Sequence, residues 1–181
     1  RAQKASTEDN RMMAQLGAMR ASKAMSKWTE VKTAAAALLE KGGLSPAEER
    51  EVTMNRAIAN ANLGNTDEAK KDFATLAKDT QSEQGAQASY ELANLLFSSG
   101  KSKEAENVIN QFIDAGTPHS YWLAKSFILL SDIYAKQGRI ADARDYLQSL
   151  KNNYPGNEKE ITQAIESRLA DLKKAQSKSK K

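Results

Sequence analysis

His119 is the residue of this chain best suited to catalysis, and it stands alone. It is the only histidine among 181 residues, and cysteine is absent. A zinc site or a nucleophile–base pair needs further ligands or partners close to it. His119 follows Thr117-Pro118, which has the order of a helix cap and a first helical residue, so a polar surface position is expected. The sequence therefore predicts no catalytic residue, no metal site and no cofactor, a pattern typical of a protein that is not an enzyme.

Carboxylates are plentiful, but most occupy places where helices are expected to begin. A negative side chain there is stabilised by the positive end of the helix dipole. The acidic residues in or near the first turns of the predicted helices are Glu48, Glu49, Glu51, Asp67, Glu68, Glu104, Glu106, Asp142 and Asp145. None is paired with another inside an apolar segment, which is the environment that general acid–base catalysis requires. We therefore expect these side chains to have structural roles.

Gly42-Gly43 is a candidate for a phosphate-binding loop. No strand-like run precedes the pair, and no Gly-Lys-Ser/Thr follows it. A preceding strand and a following Gly-Lys-Ser/Thr are both features of the phosphate-binding loop. The pair is predicted to lie in a loop between two helices.

The positive charge of the chain is concentrated at its C-terminal end. The formal charge is +4, and the last ten residues contain Lys173, Lys174, Lys178, Lys180 and Lys181, which leaves 4 − 5 = −1 for the remainder. A near-neutral remainder argues against a nucleic-acid footprint, and no aromatic residue lies between these lysines to stack on bases. Residues 175–181 are predicted to be a disordered, solvated tail, with contact to anionic lipid, nucleic acid or an acidic protein as the alternative.

The rest of the chain is an internally repeated helical sequence. Glycines at 64, 100 and 138 are separated by 100 − 64 = 36 and 138 − 100 = 38 residues, and an alanine follows each after five positions, at 69, 105 and 143. Apolar residues recur at helical spacing on both sides of each glycine, which predicts helix–turn–helix units. Ser45-Pro46 with Glu48 forms a capping-box sequence at one helix start. No apolar run approaches the ~18 residues of a membrane span.

These units resemble the tetratricopeptide repeat family over about residues 10–156. The last copy carries the family's pattern in order, with Ser131, Tyr134, Gly138, Ala143 and Pro155. Asn60 and Leu96 replace the usual tyrosine in the two preceding copies. A divergent copy stands at the front, where Trp28-Thr-Glu-Val31 aligns with Thr66-Asp-Glu-Ala69 and the first helix, roughly Asn10 to Ser22, fits poorly.

The resemblance implies an all-α fold, a right-handed α-solenoid closed by a C-terminal capping helix. The expected organisation is a divergent helical pair over 1–44, three repeats over 45–81, 82–117 and 118–156, a capping helix over 157–174 and the tail over 175–181. The ending Tyr154-Pro155 is loosely similar to bacterial cell-envelope proteins of the family, and the absence of cysteine agrees with a periplasmic domain. A periplasmic or envelope location is thus the expectation, with the cytoplasm as the alternative.

In this family the first helix of each pair lines a concave surface that receives a segment of a partner protein. The corresponding positions predict a groove formed by Met54, Ile58, Asn62, Tyr90, Asn94, Phe97, Lys125, Asp132 and Lys136. Tyr90 and Phe97 are the expected anchors, since aromatic side chains supply much of the energy in such interfaces. Asn62, Asn94 and Lys136 do not reproduce the lysine-rich clamp with which some members bind terminal carboxylates. Trp122, beside Tyr121, is predicted to pack on the preceding repeat, with a binding hot spot as the alternative.

The sequence therefore predicts a scaffold that binds a partner protein or peptide, in bacterial envelope assembly if the resemblance extends that far. Two alternatives stay open. In the first, the chain is the interaction arm of a larger enzyme whose catalytic domain lies elsewhere. In the second, it is a structural element that associates with itself through its divergent first helix. Because it starts at Arg1 rather than Met, it is expected to be a processed product or an excised segment.

Overall fold

The computed structural model describes the backbone of residues 2–178 and the side chains of residues 7–177. Within this part the structure is helical throughout and divides into two compact units, residues 1–78 and residues 79–181. Unit 1 contains α1 (Ala2–Ala24), α2 (Trp28–Lys41), α3 (Pro46–Asn62) and α4 (Thr66–Leu76). Unit 2 contains α5 (Glu83–Ser98), α6 (Ser102–Ala115), α7 (Ser120–Lys136), α8 (Ile140–Asn153) and α9 (Lys159–Lys178).

The turns inside the helix pairs have one geometry. Gly64, Gly100 and Gly138 adopt left-handed backbone angles with φ of 79°, 80° and 78°, as predicted. After each glycine, the next backbone N–H donates to a carbonyl five residues earlier, for example from Arg139 to Tyr134 at 2.9 Å. This bond satisfies a carbonyl that the helix end would otherwise leave open. The glycines therefore end the first helix of each pair.

The first pair, α1 and α2, has the same turn without a glycine. Ser26 occupies the equivalent position with φ of 55°, the only non-glycine residue with positive φ in the described chain. The N–H of Lys27 donates to the carbonyl of Ser22 at 2.9 Å, the bond found in the other three turns. The divergent front copy is thus a helix hairpin of the same type.

Small residues sit where the two helices of a pair cross. Ala69, Ala105 and Ala143 are completely buried, and Val31 is buried at the same place in the first pair. A larger side chain there would force the helix axes apart, because protein interiors are close-packed. Around these positions unit 1 buries mainly aliphatic residues such as Leu16 and Leu38. Unit 2 has a larger core that runs from Ala93 to Leu172.

Helix starts agree with the prediction at one place and differ at another. The capping box of α3 is present, since Ser45 Oγ accepts from the N–H of Glu48 at 3.3 Å and the Glu48 carboxylate accepts from the N–H of Ser45 at 2.8 Å. The predicted cap at Thr117 is wrong, because α7 begins at Ser120. The hydroxyl of Thr117 instead donates to the carbonyl of Thr80 at 2.7 Å, which keeps residues 117–119 outside the helix.

Helix α9 closes unit 2 and is longer than predicted. Ile161, Ile165 and Leu172 are buried against α7 and α8. The helix continues to Lys178, so the prediction of a disordered tail is wrong for residues 175–178. Lysine, glutamine and alanine favour helix, and extending a packed helix costs less than starting a new one. The predicted disorder of residues 179–181 lies outside the described residues.

Candidate functional site

A cleft lies between α5, α7 and α9 in unit 2. Its volume is about 410 Å³. Five of the nine predicted groove residues line it, namely Tyr90, Asn94, Phe97, Lys125 and Asp132. Helical spacing places these side chains on one face of α5 and one face of α7, as expected for residues three, four or seven positions apart. The predicted groove positions of unit 2 therefore meet in one concave surface.

One end of the cleft is an aromatic cluster around a lysine. The ring of Trp122 lies 5.9 Å from the ring of Tyr90 and 5.0 Å from that of Tyr121, between centroids. Lys125 Nζ lies 4.7, 5.5 and 5.4 Å from the centroids of Tyr90, Tyr121 and Trp122. It also pairs with Glu160 of α9 at 3.5 Å. Cation–π attraction and the ion pair together hold this lysine against α5 and α9.

A bidentate ion pair closes the other end of the cleft. Arg168 of α9 donates to both carboxylate oxygens of Asp132 at 2.7 and 2.8 Å. These hydrogen bonds raise the pKa of Arg168, so the guanidinium stays charged. Fork-to-fork pairing of this kind is stronger than a single hydrogen bond because both partners are ionised and geometrically matched. Asp132 is therefore engaged by the protein itself and is not a free anion.

Burial raises the pKa values of two neighbouring groups on α5. Burial raises the pKa of Tyr90 to about 12, and the negative charges of Glu91 and Glu160 add to the rise. Burial also raises the pKa of Glu91, although a hydrogen bond from Gln87 and the charge of Lys125 oppose the rise. Desolvation disfavours the ionised form of both groups. Tyr90 is thus a neutral phenol, able to donate a hydrogen bond, over the whole physiological pH range.

The middle of the cleft offers an amide and apolar surface. No hydrogen bond within the described residues engages the side chain of Asn94, which is half-buried in the cleft wall. Phe97, Ile128 and Leu129 form apolar surface beside it. Lys136, the sixth predicted residue of unit 2, has its Nζ 5.1 Å from the centroid of Phe97. The cleft thus combines apolar contact area with an amide that can bond to a peptide group.

The sequence prediction missed one wall of the cleft. Glu160, Ile161, Ala164 and Arg168 of α9 line it together with α5 and α7. This helix was assigned only the role of a cap. Its signal was present in the sequence, since Glu160, Ala164 and Arg168 recur every four residues on one helix face. Helix α9 therefore occupies the place that the first helix of a further repeat would take.

The three predicted groove residues of unit 1 do not line this cleft. Met54 is buried, with 3% exposure, so its side chain offers no surface to a ligand. Ile58 is half-buried, and Asn62 is exposed with its amide donating to the carbonyl of Ile58 at 2.8 Å. On the same side of unit 1, Arg20 of α1 binds both carboxylate oxygens of Glu51 on α3 at 2.6 and 2.7 Å.

His119 connects two loops of unit 2. Its Nε2 lies 3.0 Å from the carbonyl of Gln81, and its backbone N–H donates to Thr117 Oγ1 at 3.1 Å. Thr80 Oγ1 donates to the carbonyl of Gly116 at 2.8 Å in the same region. These bonds tie the loop before α5 to the loop before α7. Within the described residues, no group of three or more histidine, aspartate or glutamate side chains is arranged to hold a metal ion.

A second cavity of about 250 Å³ lies between α7 and α8, away from the first. Its lining is mostly apolar and includes Leu123, Phe127, Tyr146, Leu150 and Tyr154. Trp122 packs on Tyr90 of the preceding pair, as predicted. In the described part of the chain, no helix combines the length and the apolar character needed to cross a membrane.

Comparisons with known proteins concern the repeats. The family model described as "Tetratricopeptide repeat" matches residues 54–120 and residues 90–158. Together the matches span 158 − 54 + 1 = 105 of the 181 residues. A similar solved structure is "MamA RS-1 ArsTM double mutant", with 17% sequence identity, a TM-score of 0.53, and coverage of 90% of this chain and 96% of that one. At this identity the likeness concerns the fold. No curated protein matches the chain.

Proposed function

This chain belongs to the tetratricopeptide repeat family, and we propose that it is a non-catalytic scaffold whose α5–α7–α9 cleft holds a segment of a partner protein. The observation that carries the proposal is the cleft itself. Five residues of α5 and α7, chosen from the repeat pattern alone, line one cavity of about 410 Å³ together with residues of α9. This volume is in the range of pockets that enclose a ligand, and a few side chains of a peptide would fill it.

The charges of the cleft indicate what kind of segment fits. Lys125 is paired with Glu160, and Asp132 is paired with Arg168, so the four ionised groups that line the cavity cancel. A charged ligand would have to compete with one of these pairs. The Lys125–Glu160 pair, in which Glu160 is 64% exposed, opposes this by at most about 1 kcal/mol, and the less exposed Arg168–Asp132 pair would lose a bidentate bond. We therefore expect an uncharged segment that buries apolar side chains.

Polar recognition of such a segment rests on two groups. The free amide of Asn94 has both donors and an acceptor for the peptide backbone. The phenol of Tyr90 is half-buried and, with its pKa at about 12, keeps its proton for donation. Tyr90 and Phe97 add the aromatic surface from which binding energy is drawn in protein interfaces. Ile58 and Asn62 of unit 1 remain predicted partner contacts.

The setting of this scaffold is also part of the proposal. The Tyr154-Pro155 ending and the absence of cysteine support a periplasmic or envelope location in a bacterium. Fractionation of the source cell with an antibody to the chain tests it. A signal in the periplasmic or envelope fraction is expected, and a purely cytoplasmic signal contradicts the location without affecting the cleft.

The cleft is tested by blocking it with one substitution. Ala164 lines the cavity, whereas Ala170 lies on the same helix and is exposed. Ala164→Arg places a long cation in the cleft, and Ala170→Arg makes the same chemical change outside it. Each variant, and the unchanged chain, is crosslinked in lysate of the source cell, and the captured proteins are identified. Helix content by circular dichroism and the melting temperature must agree among the three proteins.

We expect one partner to be captured by the unchanged chain and by Ala170→Arg, and to be reduced about tenfold or more with Ala164→Arg, equivalent to at least ~1.4 kcal/mol of binding free energy. The partner's binding segment, made as a peptide, should then change the fluorescence of Trp122, which packs on Tyr90 at the cleft. Equal capture by both variants contradicts the cleft as the site and moves the function to another surface.

A further inference from the structure

The C-terminal end of α9 places lysines on one helix face that the proposed binding cleft does not use. Lys173 and Lys174 are exposed, and Lys178 follows Lys174 by one turn of the same helix. In the sequence, Lys180 and Lys181 come next. No acidic residue follows Asp171, which lies 3.9 Å from Lys174 Nζ and is itself exposed. We call Lys173, Lys174 and Lys178 the basic face.

The helix positions of the basic face lie on the side of α9 opposite the core of unit 2. At ~100° per residue, its three positions fall within about 140° of one another around the helix axis. Leu172, the last residue of α9 that is buried, lies on the opposite side of the helix. The final turns of α9 therefore extend past the packed core with one neutral side and one basic side. Contact through the basic side requires no change in the core.

The composition of this segment decides which anionic partner suits it. Every cation from residue 173 onward is a lysine, and no arginine or aromatic residue accompanies them. Lysine acts as a hydrated point charge, whereas arginine and aromatic side chains supply the bidentate and stacking contacts typical of nucleic-acid recognition. A cavity of about 320 Å³ adjoins these turns of α9, but no lysine of the basic face lines it, and the carboxylates of Asp132 and Asp171 in its lining do not suit an acidic peptide. A broad layer of anionic groups is the best match.

We propose that the C-terminal end of α9 binds the surface of a membrane that contains anionic phospholipids, by electrostatic attraction without insertion. Basic residues beside such a surface each contribute about 1 kcal/mol, and their effect is screened within a Debye length. The residues after Leu172 lack large apolar side chains, so nothing in this segment enters the hydrocarbon. Binding is therefore reversible and salt-sensitive, and it leaves the α5–α7–α9 cleft free for its partner.

The experiment compares two variants with equal net charge. The first replaces the five C-terminal lysines by glutamine: Lys173→Gln, Lys174→Gln, Lys178→Gln, Lys180→Gln and Lys181→Gln. The control replaces five exposed lysines elsewhere: Lys41→Gln, Lys71→Gln, Lys78→Gln, Lys103→Gln and Lys159→Gln. Both have a formal charge of 4 − 5 = −1. Each protein is sedimented with vesicles of phosphatidylcholine alone or mixed with increasing amounts of phosphatidylglycerol, at low and at physiological salt.

We expect the unchanged chain and the control to sediment with the mixed vesicles, in proportion to their phosphatidylglycerol content, and not with phosphatidylcholine alone. Each C-terminal lysine removed should weaken binding about fivefold, and added salt should weaken it further. Failure of the unchanged chain to bind mixed vesicles overturns the proposal. So does equal loss in both variants, which would assign the effect to net charge. Displacement by duplex DNA or polyglutamate at matched charge would assign the basic face to a polymer instead.

Discussion

Unit 1 and unit 2 are built from the same helix hairpin but arrange their buried charges differently. In unit 1, Asp72 is buried at 7% exposure and is held by Arg56, whose guanidinium donates to both carboxylate oxygens at 2.7 Å. In unit 2, Glu91 is partly withdrawn from solvent and accepts a hydrogen bond from Gln87, and within the described residues no arginine bonds to it. The hairpin framework thus accommodates a buried carboxylate that is held by an arginine and a half-buried carboxylate that is not.

The two units also differ in the ion pairs on the first helices of their hairpins. Arg20 and Glu51 join α1 to α3 directly, so two first helices of unit 1 are linked by an ion pair. In unit 2 the pairs formed by Lys125 with Glu160 and by Asp132 with Arg168 stand at the ends of an open cleft. The residues that define the repeat are shared by both units. Whether a surface can receive a ligand depends on side chains outside that pattern.

The largest expected effects test what the two units share. Phe73 in unit 1 and Leu147 in unit 2 occupy equivalent buried positions, four residues after the buried alanine of their hairpins. Phe73→Ala and Leu147→Ala should each lower the free energy of unfolding by about 2–5 kcal/mol, through lost burial and a residual cavity. Urea denaturation measures this, with Trp28 reporting on unit 1 and Trp122 on unit 2. Gln148→Ala, at an exposed neighbour, should change stability by less than about 0.5 kcal/mol.

A cost below about 1 kcal/mol for either buried substitution would show that its hairpin is not packed as described, since truncations of large core side chains cost more. The hairpins of unit 1 and unit 2 would then not share the same packing.

The second prediction separates the ion pairs by their burial. Asp72 has a side-chain exposure of 10%, whereas that of Glu51 is 30% and that of its partner Arg20 is 48%. Asp72→Ala should cost about 2–3 kcal/mol, because it leaves the partly buried Arg56 without its partner. Glu51→Ala should cost at most about 1 kcal/mol, and less as salt is added. Double-mutant cycles with Arg56→Met and Arg20→Met isolate the two pairs. Equal coupling energies would contradict the ranking by burial.

The third prediction concerns the turns, where one residue type distinguishes the units. Ser26 holds the left-handed conformation that Gly138 holds in unit 2. Ser26→Gly should raise stability by about 1 kcal/mol, since glycine adopts positive φ without the steric cost of a side chain. Gly138→Ser should lower it by a similar amount. Melting temperatures of both variants check this. A loss of stability with Ser26→Gly would mean that the serine makes a contact that outweighs its backbone strain.

Ser26 also explains where the sequence prediction of the fold was weak. The three later hairpins were recognised because glycine, alanine and large apolar residues recur at fixed spacing. The first hairpin was recognised only as a divergent copy, because its first helix fits the repeat pattern poorly. A serine also stands at its turn, although the backbone hydrogen bond from Lys27 to Ser22 forms as in the others. The packing of two helices can impose a left-handed turn on a residue other than glycine. The residue type at the turn then no longer reveals the turn in the sequence. Thr117 shows the reverse. Its sequence is that of a helix cap, but its hydroxyl donates to the carbonyl of Thr80 and does not cap a helix.

The site was predictable as far as the repeat register reaches. Register alone placed Tyr90, Asn94, Phe97, Lys125 and Asp132 on facing helices, and they line one cleft. It could not show that Arg168 and Glu160, more than 25 residues away in sequence, neutralise two of them, because ion pairing depends on the packing of α9. It also could not show that Met54 is buried while Asn94 keeps a free amide. Partners across helices are a tertiary property that spacing does not encode.

The smallest expected effect concerns Glu91, the half-buried carboxylate of unit 2 that has no arginine partner within the described residues. Burial raises the pKa of Glu91 above its ordinary value, so the folded protein binds this proton more tightly than the unfolded chain does. Stability is therefore unaffected by this group below the unfolded pKa of about 4.3 and falls as the pH rises through the raised folded value. Glu91→Gln removes the ionisation and should stabilise the protein at neutral pH by less than about 1 kcal/mol, with no gain near pH 4.

Thermal melting of the unchanged chain and of Glu91→Gln across this pH range measures the difference, with Glu83→Gln as the control because Glu83 is exposed on the same helix. A gain for Glu91→Gln that persists at low pH would attribute the effect to packing rather than to charge. A loss of stability at neutral pH would mean that Lys125 stabilises the ionised carboxylate more than burial destabilises it. Glu91 would then be a paired carboxylate like Asp72, and the two units would not differ in this respect.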